Sequence, residues 1–271
     1  MQVLTRLWVA MLLALGVGCV PGSSPASTPA GGQTGELHVA AAASLTDAFG
    51  ELGTAFESQN PGSRVLFNFG PSSGLRTQIE QGAPADVFAS ADQAQMELAR
   101  ANGVVAGEPE VFARNVLVLV LPRDNSGRIT SVQDLARPGL RLVSTAPQVP
   151  IGAYTRQMLQ SMRQDPAYGA DFADRVLANI RSEELDVRAV LAKITLGEAD
   201  GGVVYATDVT PAVAPEVQVL PIPEQFNVIV SYPIALVQGA RQPVLGQRFV
   251  DLVLSDAGQA VLARYNFQPA R

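Results

Sequence analysis

Beyond Cys19 this chain has no cysteine, beyond Lys193 no lysine and beyond His38 no histidine. Each shortage removes a class of chemistry. Without a second cysteine no disulfide can staple the fold, and neither a cysteine nucleophile nor a Cys/His zinc cluster can be assembled within it. An apolar core must hold the fold together, and a hydrophobic content of 47% supplies one. The lone His38 sits on an apolar run next to the polar N-terminal stretch and is badly placed for a Ser-His-Asp triad; a Gly-x-Ser-x-Gly turn is missing too. Lys193 does not follow a serine by three residues, so the Ser-x-x-Lys nucleophile is also absent. These gaps make a secreted hydrolase the weak alternative and predict no catalytic residue, no metal cation and no cofactor. A net charge of −6 without any basic run excludes the electrostatic footprint of a nucleic-acid binder. Internal repeats and heptads are missing as well.

What is present begins with an export signal. Arg6 precedes an apolar run, residues 7–17, too short to span a bilayer as a mature helix. Gly16-Val17-Gly18-Cys19 follows, and two readings stand: a lipoprotein signal whose cleavage leaves a lipidated Cys19, which we prefer, or an ordinary cleaved signal with an incidental cysteine. Residues 1–19 are then signal, and 20–35, rich in Pro, Ser, Gly, Ala and Thr, a flexible tether. The folded part starts near Glu36 and is long enough for one large or two medium domains.

From there short apolar runs alternate with helical periodicity: strands over 37–42, 64–69, 86–90, 116–121, 141–143, 202–205, 217–221 and 228–237, helices over 46–60, 74–81, 92–101, 152–164, 171–178, 187–196, 242–254 and 255–265. This βαβα order predicts an α/β fold with mainly parallel sheets. The long apolar runs 116–121 and 226–237 bracket the middle third and read as crossover strands between two lobes, 36–115 plus 231–271 and 116–230. A ligand between lobes would lie at the carboxyl ends of both sheets.

Strand-to-helix junctions carry the functional signal. Ala41-Ala-Ala-Ser44-Leu-Thr-Asp47 joins an apolar run to an amphipathic helix, with Ser44 as expected N-cap and Asp47 three residues on, as in a capping box. Pro71-Ser-Ser-Gly74, Val149-Pro-Ile-Gly152 and Leu185-Asp-Val-Arg188 repeat the design. A helix N-terminus offers unpartnered amides and a partial positive charge, hence an anion site. Any one such serine is more simply a cap, Tyr205 more simply a core aromatic, and Asp47 and Asp186 caps; Arg76 and Arg188 read as surface charges. Several junctions with almost no lysine point instead to an oxyanion held by neutral donors.

On the motifs AAASLTDAF (41–49), QIEQGAPADVFASAD (78–92), NVLVLVLP (115–122), VPIGAY (149–154), DVRAVLAKI (186–194) and GVVYATD (202–208), the chain resembles the periplasmic molybdate-binding proteins of ABC importers over essentially all of 36–267. The resemblance implies a two-lobed type II solute-binding fold, molybdate or tungstate as ligand, importer membrane subunits as partners, and a monomer in the periplasm or, through Cys19, on the outer face of the cytoplasmic membrane. It implies a ligand set of the Ser44 hydroxyl, the Ser72 hydroxyl (or that of Ser73), the amides of Ile151 and Val187, and the Tyr205 hydroxyl. All of these donate, and molybdate, fully deprotonated at neutral pH, only accepts. Another oxyanion such as sulfate or a phosphonate is the rival ligand. A scaffolding lipoprotein with a disused pocket is a third reading.

Overall fold

The computed structural model describes residues 34–270; Cys19, the signal and most of the expected tether lie outside them. In chain order come β1 (Gly35–Ala42), α1 (Thr46–Gln59), β2 (Ser63–Gly70), α2 (Ser72–Glu80), β3 (Val87–Ala89), α3 (Gln93–Ala101), β4 (Val105–Asn115), β5 (Leu117–Pro122), β6 (Leu142–Thr145), α4 (Pro150–Met162), α5 (Phe172–Ala178), β7 (Ile180–Glu184), α6 (Val187–Thr195), β8 (Gly202–Tyr205), β9 (Val217–Pro221), β10 (Val230–Val237), α7 (Pro243–Leu254), α8 (Asp256–Arg264) and β11 (Gln268–Pro269).

These strands fall into two groups. One sheet has the order β11-β4-β10-β3-β1-β2; the other has the order β8-β5-β9 and is extended by the β6-β7 pair through a parallel bridge between Leu142 and Gly201. The chain leaves the first sheet at Asn115 and re-enters it at Val230, so the middle segment builds the second group. This is the two-lobed α/β arrangement that the βαβα order leads one to expect.

Strand direction departs from the expectation of mainly parallel sheets. Pairs β1-β2, β1-β3 and β6-β7 are parallel, but β10 runs antiparallel to β3 and β4, and β5 antiparallel to β8 and β9. The physical reason lies in the crossovers. β4 and β10 carry the chain out of the first sheet and back into it, and a return strand that pairs with its outgoing one must oppose it. The run at β5 is apolar because it is the central strand of its sheet, with Leu117, Leu119, Val120 and Leu121 fully buried.

Helices pack against these sheets through aromatic side chains in the first group. Phe49 of α1 sits 5.7 Å from both Phe112 of β4 and Phe249 of α7, ring centroid to ring centroid, and Phe56 sits 5.6 Å from Phe249. Such tilted and edge-on pairs add about 0.5–1.5 kcal/mol each beyond their buried area. They lock α1, and hence the residues preceding it, onto the sheet. Among the described residues no helix is long and apolar enough to cross a membrane.

Candidate functional site

Parallel strands deliver their following residues to one edge. β1, β2 and β3 run side by side in the same direction, so Ser44, Ser72 and Ala91 emerge together just past their carboxyl ends. In the second group β6 leads to the start of α4, β7 leads to the start of α6, and β8 ends in Tyr205. A tight cleft of about 20 Å³ is bordered by Ser44, Ser72, Ile151, Val187 and Tyr205 together with Ala91 and Asp186. All the residues expected from the sequence to bind ligand therefore meet in one place, and Ser72 rather than Ser73 borders it. The volume is far below the 300–1,000 Å³ usual for organic-ligand pockets. A roomier depression of about 550 Å³ at Ile79, Gly82 and Arg241 has no buried unpaired polar atom.

The five residues are buried, with exposures of 4% for Ser44, 1% for Ser72, 2% for Ile151, 4% for Val187 and 2% for Tyr205. Their local structure corrects the expectation that the serines are caps. Ser44 lies in a tight turn, Ala43–Leu45, before α1, whose N-cap is Leu45, and no side-chain cap is formed there. Its Oγ instead stands 3.1 Å from the Tyr232 hydroxyl. Ser72 is the first residue of α2, with Pro71 as N-cap; its Oγ accepts from the Ala91 amide at 3.0 Å, leaving its own proton free. Asp186 does cap α6, accepting from the Ala189 amide at 3.0 Å, so one oxygen of the only carboxylate that lines the cleft among the described residues is already engaged.

Ile151 and Val187 lie in the first turns of α4 and α6, where backbone amides have no intrahelical acceptor and the helix dipole is positive. The glycine of Pro150-Ile151-Gly152 explains the close seat of α4. A Cβ on Gly152 would lie 2.3 Å from the Ala146 carbonyl oxygen and 2.5 Å from Thr145 Oγ1, so only glycine lets the helix start descend onto the end of β6. Tyr205 is the most telling of the set: its hydroxyl is buried and has no hydrogen-bond partner. Burial pushes its pKa well above the ordinary tyrosine value, so it remains a protonated donor at neutral pH.

Arg188 and Asp47 depart from the sequence reading. Asp47 caps nothing; its carboxylate accepts from Arg188 at 2.6 Å, joining α1 of the first group to α6 of the second. Arg188 is not a free surface charge, since its Nε also lies 3.6 Å from Oδ1 of the fully buried Asp208. Asp208 Oδ2 in turn accepts from the Tyr205 amide at 3.0 Å. Burial pushes the Asp208 carboxyl up to about 7, against the opposing pull of Arg188. Arg188 thus ties together the starts of α1 and α6 and the support beneath Tyr205. The roles of Arg188, Tyr232 and Asn115 could not be read from the sequence, because their partners lie far away along the chain.

The donor set is of the kind that suits an ion that only accepts hydrogen bonds. Three hydroxyls and two helix-start amides converge, and no group of three His, Cys, Asp or Glu able to hold a cation occurs among the described residues. The candidate site has donors where a hydrolase would need a base.

Comparison with known proteins agrees with this chemistry. The model of the bacterial extracellular solute-binding protein family matches residues 37–268. The "Molybdate-binding protein ModA" of Mycobacterium tuberculosis (strain H37Rv) is 42% identical over 265 residues, covering 97% of this chain and 96% of the relative. Among solved structures, the Azotobacter vinelandii periplasmic molybdate-binding protein superposes with a TM-score of 0.74 at 22% identity, over 87% of this chain and all of that one. The sulfate-binding protein SubI of M. tuberculosis reaches 0.77 at 18% identity, over 88% of each chain. These two structures share the fold; the anion differs between them, so fold alone does not select it. The match along nearly the whole length of both sequences does define the lineage: this chain belongs to the bacterial extracellular solute-binding protein family and, within it, to the ModA proteins.

Proposed function

We propose that this protein captures molybdate outside the cytoplasmic membrane and delivers it to the membrane subunits of an ABC importer, with tungstate, nearly equal in size and charge, as an equivalent ligand. It is a solute-binding protein and not an enzyme, and it needs no cofactor. The observation that carries the reading is the buried, unpartnered Tyr205 hydroxyl bordering the same cleft as Ser44, Ser72 and the starts of α4 and α6. A buried donor left without a partner costs about 1–3 kcal/mol. An oxyanion removes that cost and receives the remaining donors at once.

In this reading Ser44, Ser72, Ile151, Val187 and Tyr205 are the ligand-binding residues. The lobes are 36–115 plus 231–271 and 116–230, closing about the two crossovers onto the ion. Both halves of the site come from one chain, which favours a monomer. Cys19 would carry the lipid that keeps the protein on the outer face of the cytoplasmic membrane. Phosphate is disfavoured because its residual proton needs an acceptor, and sulfate because its shorter bonds leave some donors out of reach.

A thermal-shift panel tests the proposal. At a hundredfold excess over Kd a ligand adds about 2.7 kcal/mol, which for a fold of this size raises Tm by roughly 5–10 °C. Molybdate and tungstate should each give that rise, and sulfate and phosphate at the same concentration should give little. An equal rise with sulfate would assign the site to the rival anion, and no rise with any of the four would remove the proposal.

A further inference from the structure

Ser44 is not simply exposed to the cleft; it is the last member of a directed hydrogen-bond chain. The chain starts at Asn115, whose Oδ1 accepts from the Val116 amide at 2.9 Å. That bond fixes the side-chain amide, so Nδ2 is the end that faces Thr207 Oγ1 at 2.7 Å and the Tyr232 hydroxyl at 3.2 Å. Tyr232 therefore accepts from Asn115, and its own proton needs another acceptor. Ser44 Oγ, at 3.1 Å, is the acceptor within reach. The Tyr232 ring cannot swing elsewhere. It is fully buried and held edge-on by Phe112, Tyr205 and Phe267 at 6.2, 5.9 and 5.3 Å.

We propose that Tyr232, oriented by Asn115, is a positioning residue for the anion: it commits the Ser44 hydroxyl to donating into the cleft. The alternative arrangement, with Ser44 giving its proton to Tyr232 and turning only lone pairs toward the ligand, is closed because the tyrosine proton would then have no acceptor. A hydroxyl whose oxygen already accepts a hydrogen bond is also a stronger donor through polarisation. The design favours a fully deprotonated oxyanion over one that carries a proton. It also roots the first-group donor in both crossovers, since Asn115 ends β4 and Tyr232 lies near the start of β10. The inference rests on the reading of Ser44 as a ligand donor.

The test is a double-mutant cycle read by molybdate calorimetry on wild type, Ser44→Ala, Tyr232→Phe and the double variant, with thermal unfolding of each ligand-free protein. Tyr232→Phe keeps the ring packing, and Asn115 Nδ2 keeps Thr207 as partner, so folding is preserved. The expected result is about a tenfold weaker affinity for Tyr232→Phe in the wild-type background, the size of one misdirected hydrogen bond to a charged group. In the Ser44→Ala background Tyr232→Phe should change affinity less than twofold. Tyr232→Phe should also narrow the ratio of molybdate to hydrogen phosphate affinity. Unchanged affinity on Tyr232→Phe, or the same loss in both backgrounds, would overturn the positioning role. Wild-type affinity in Ser44→Ala would instead overturn the anion site on which it rests.

Discussion

The two halves of the candidate site hold their donors in opposite ways. On the side built by β1 and β2, the donors are serine hydroxyls already engaged by the protein: Ser44 by Tyr232, Ser72 by the Ala91 amide. On the side built by the middle segment, they are helix-start amides and a tyrosine with no partner. Among the described residues the Tyr205 hydroxyl is the buried atom on the cleft wall without a hydrogen-bond partner, and it belongs to that second side, whereas Arg188 Nε and Asp208 Oδ1 face each other at 3.6 Å. The first half is thus satisfied without ligand and directs protons outward; the second is incomplete until an acceptor arrives. Under the proposed function, this difference would locate the driving force for capture in the second half and the orientation of the ion in the first.

Removing a donor from each half at once should have the largest effect. Ser44→Ala with Tyr205→Phe should abolish most molybdate binding, because each hydrogen bond to a charged group contributes about 1.5–3 kcal/mol. Singly, each should weaken binding by roughly one to two decades, with the helix-start amides of Ile151 and Val187 supplying the remainder. Ligand-free stability separates the halves. Tyr205→Phe deletes an unsatisfied buried hydroxyl and should leave Tm unchanged or raise it. Ser44→Ala deletes a satisfied one and should lower stability by about 1 kcal/mol. A fall of the same size in both would erase the proposed asymmetry.

The link between the halves comes next. Asp47→Asn breaks a partly exposed ion pair and should cost at most about 1 kcal/mol. Arg188→Gln should cost more, since it also leaves the buried Asp208 without its nearby cation. Chemical denaturation of both variants compares them; equal losses would mean that Asp208 takes nothing from Arg188.

Asp208 has a pH signature of its own. Its carboxyl is pushed by burial from 3.8 to about 7, so between those values the folded state holds a proton that the unfolded state has lost. By linkage, its contribution to stability is greatest at acid pH and declines as pH rises from about 4 to about 7. The stability difference between wild type and Asp208→Asn should therefore fall across that window, and a flat difference would show an ordinary, already ionised carboxylate. Smallest of all should be Lys193→Ala. Its ammonium pairs with Glu184 at 3.0 Å in the last turn of α6, away from the anion-facing start of the helix, so molybdate affinity should be unchanged within error of calorimetry.

Much of this was legible in sequence because it is local. Apolar runs and helix periodicity place most elements to within a few residues; the junctions mark Ser44, Ser72, Ile151 and Val187, while the full set including Tyr205 comes from the resemblance to the molybdate-binding proteins. What was illegible is of two kinds. β4 is broken up by Gly107 at φ 71° and by Pro109, and β7 reads Ile-Arg-Ser-Glu-Glu along an edge, so neither shows an apolar run. The second kind is competition from distant partners. Ser44 and Asp47 carry the local pattern of a capping box, but Tyr232, 188 residues away from Ser44, and Arg188, 141 residues away from Asp47, take their side chains instead. Local pattern proposes a cap; tertiary contact turns Ser44 to Tyr232 and makes Asp47 a link between lobes.

The central claim is that one buried set of neutral donors binds a fully deprotonated oxyanion, and titration calorimetry of molybdate into wild type, Ser44→Ala and Tyr205→Phe tests it most directly. The account predicts tight one-to-one binding by wild type and a loss of roughly one to two decades in each variant. Wild-type affinity in both variants would contradict it.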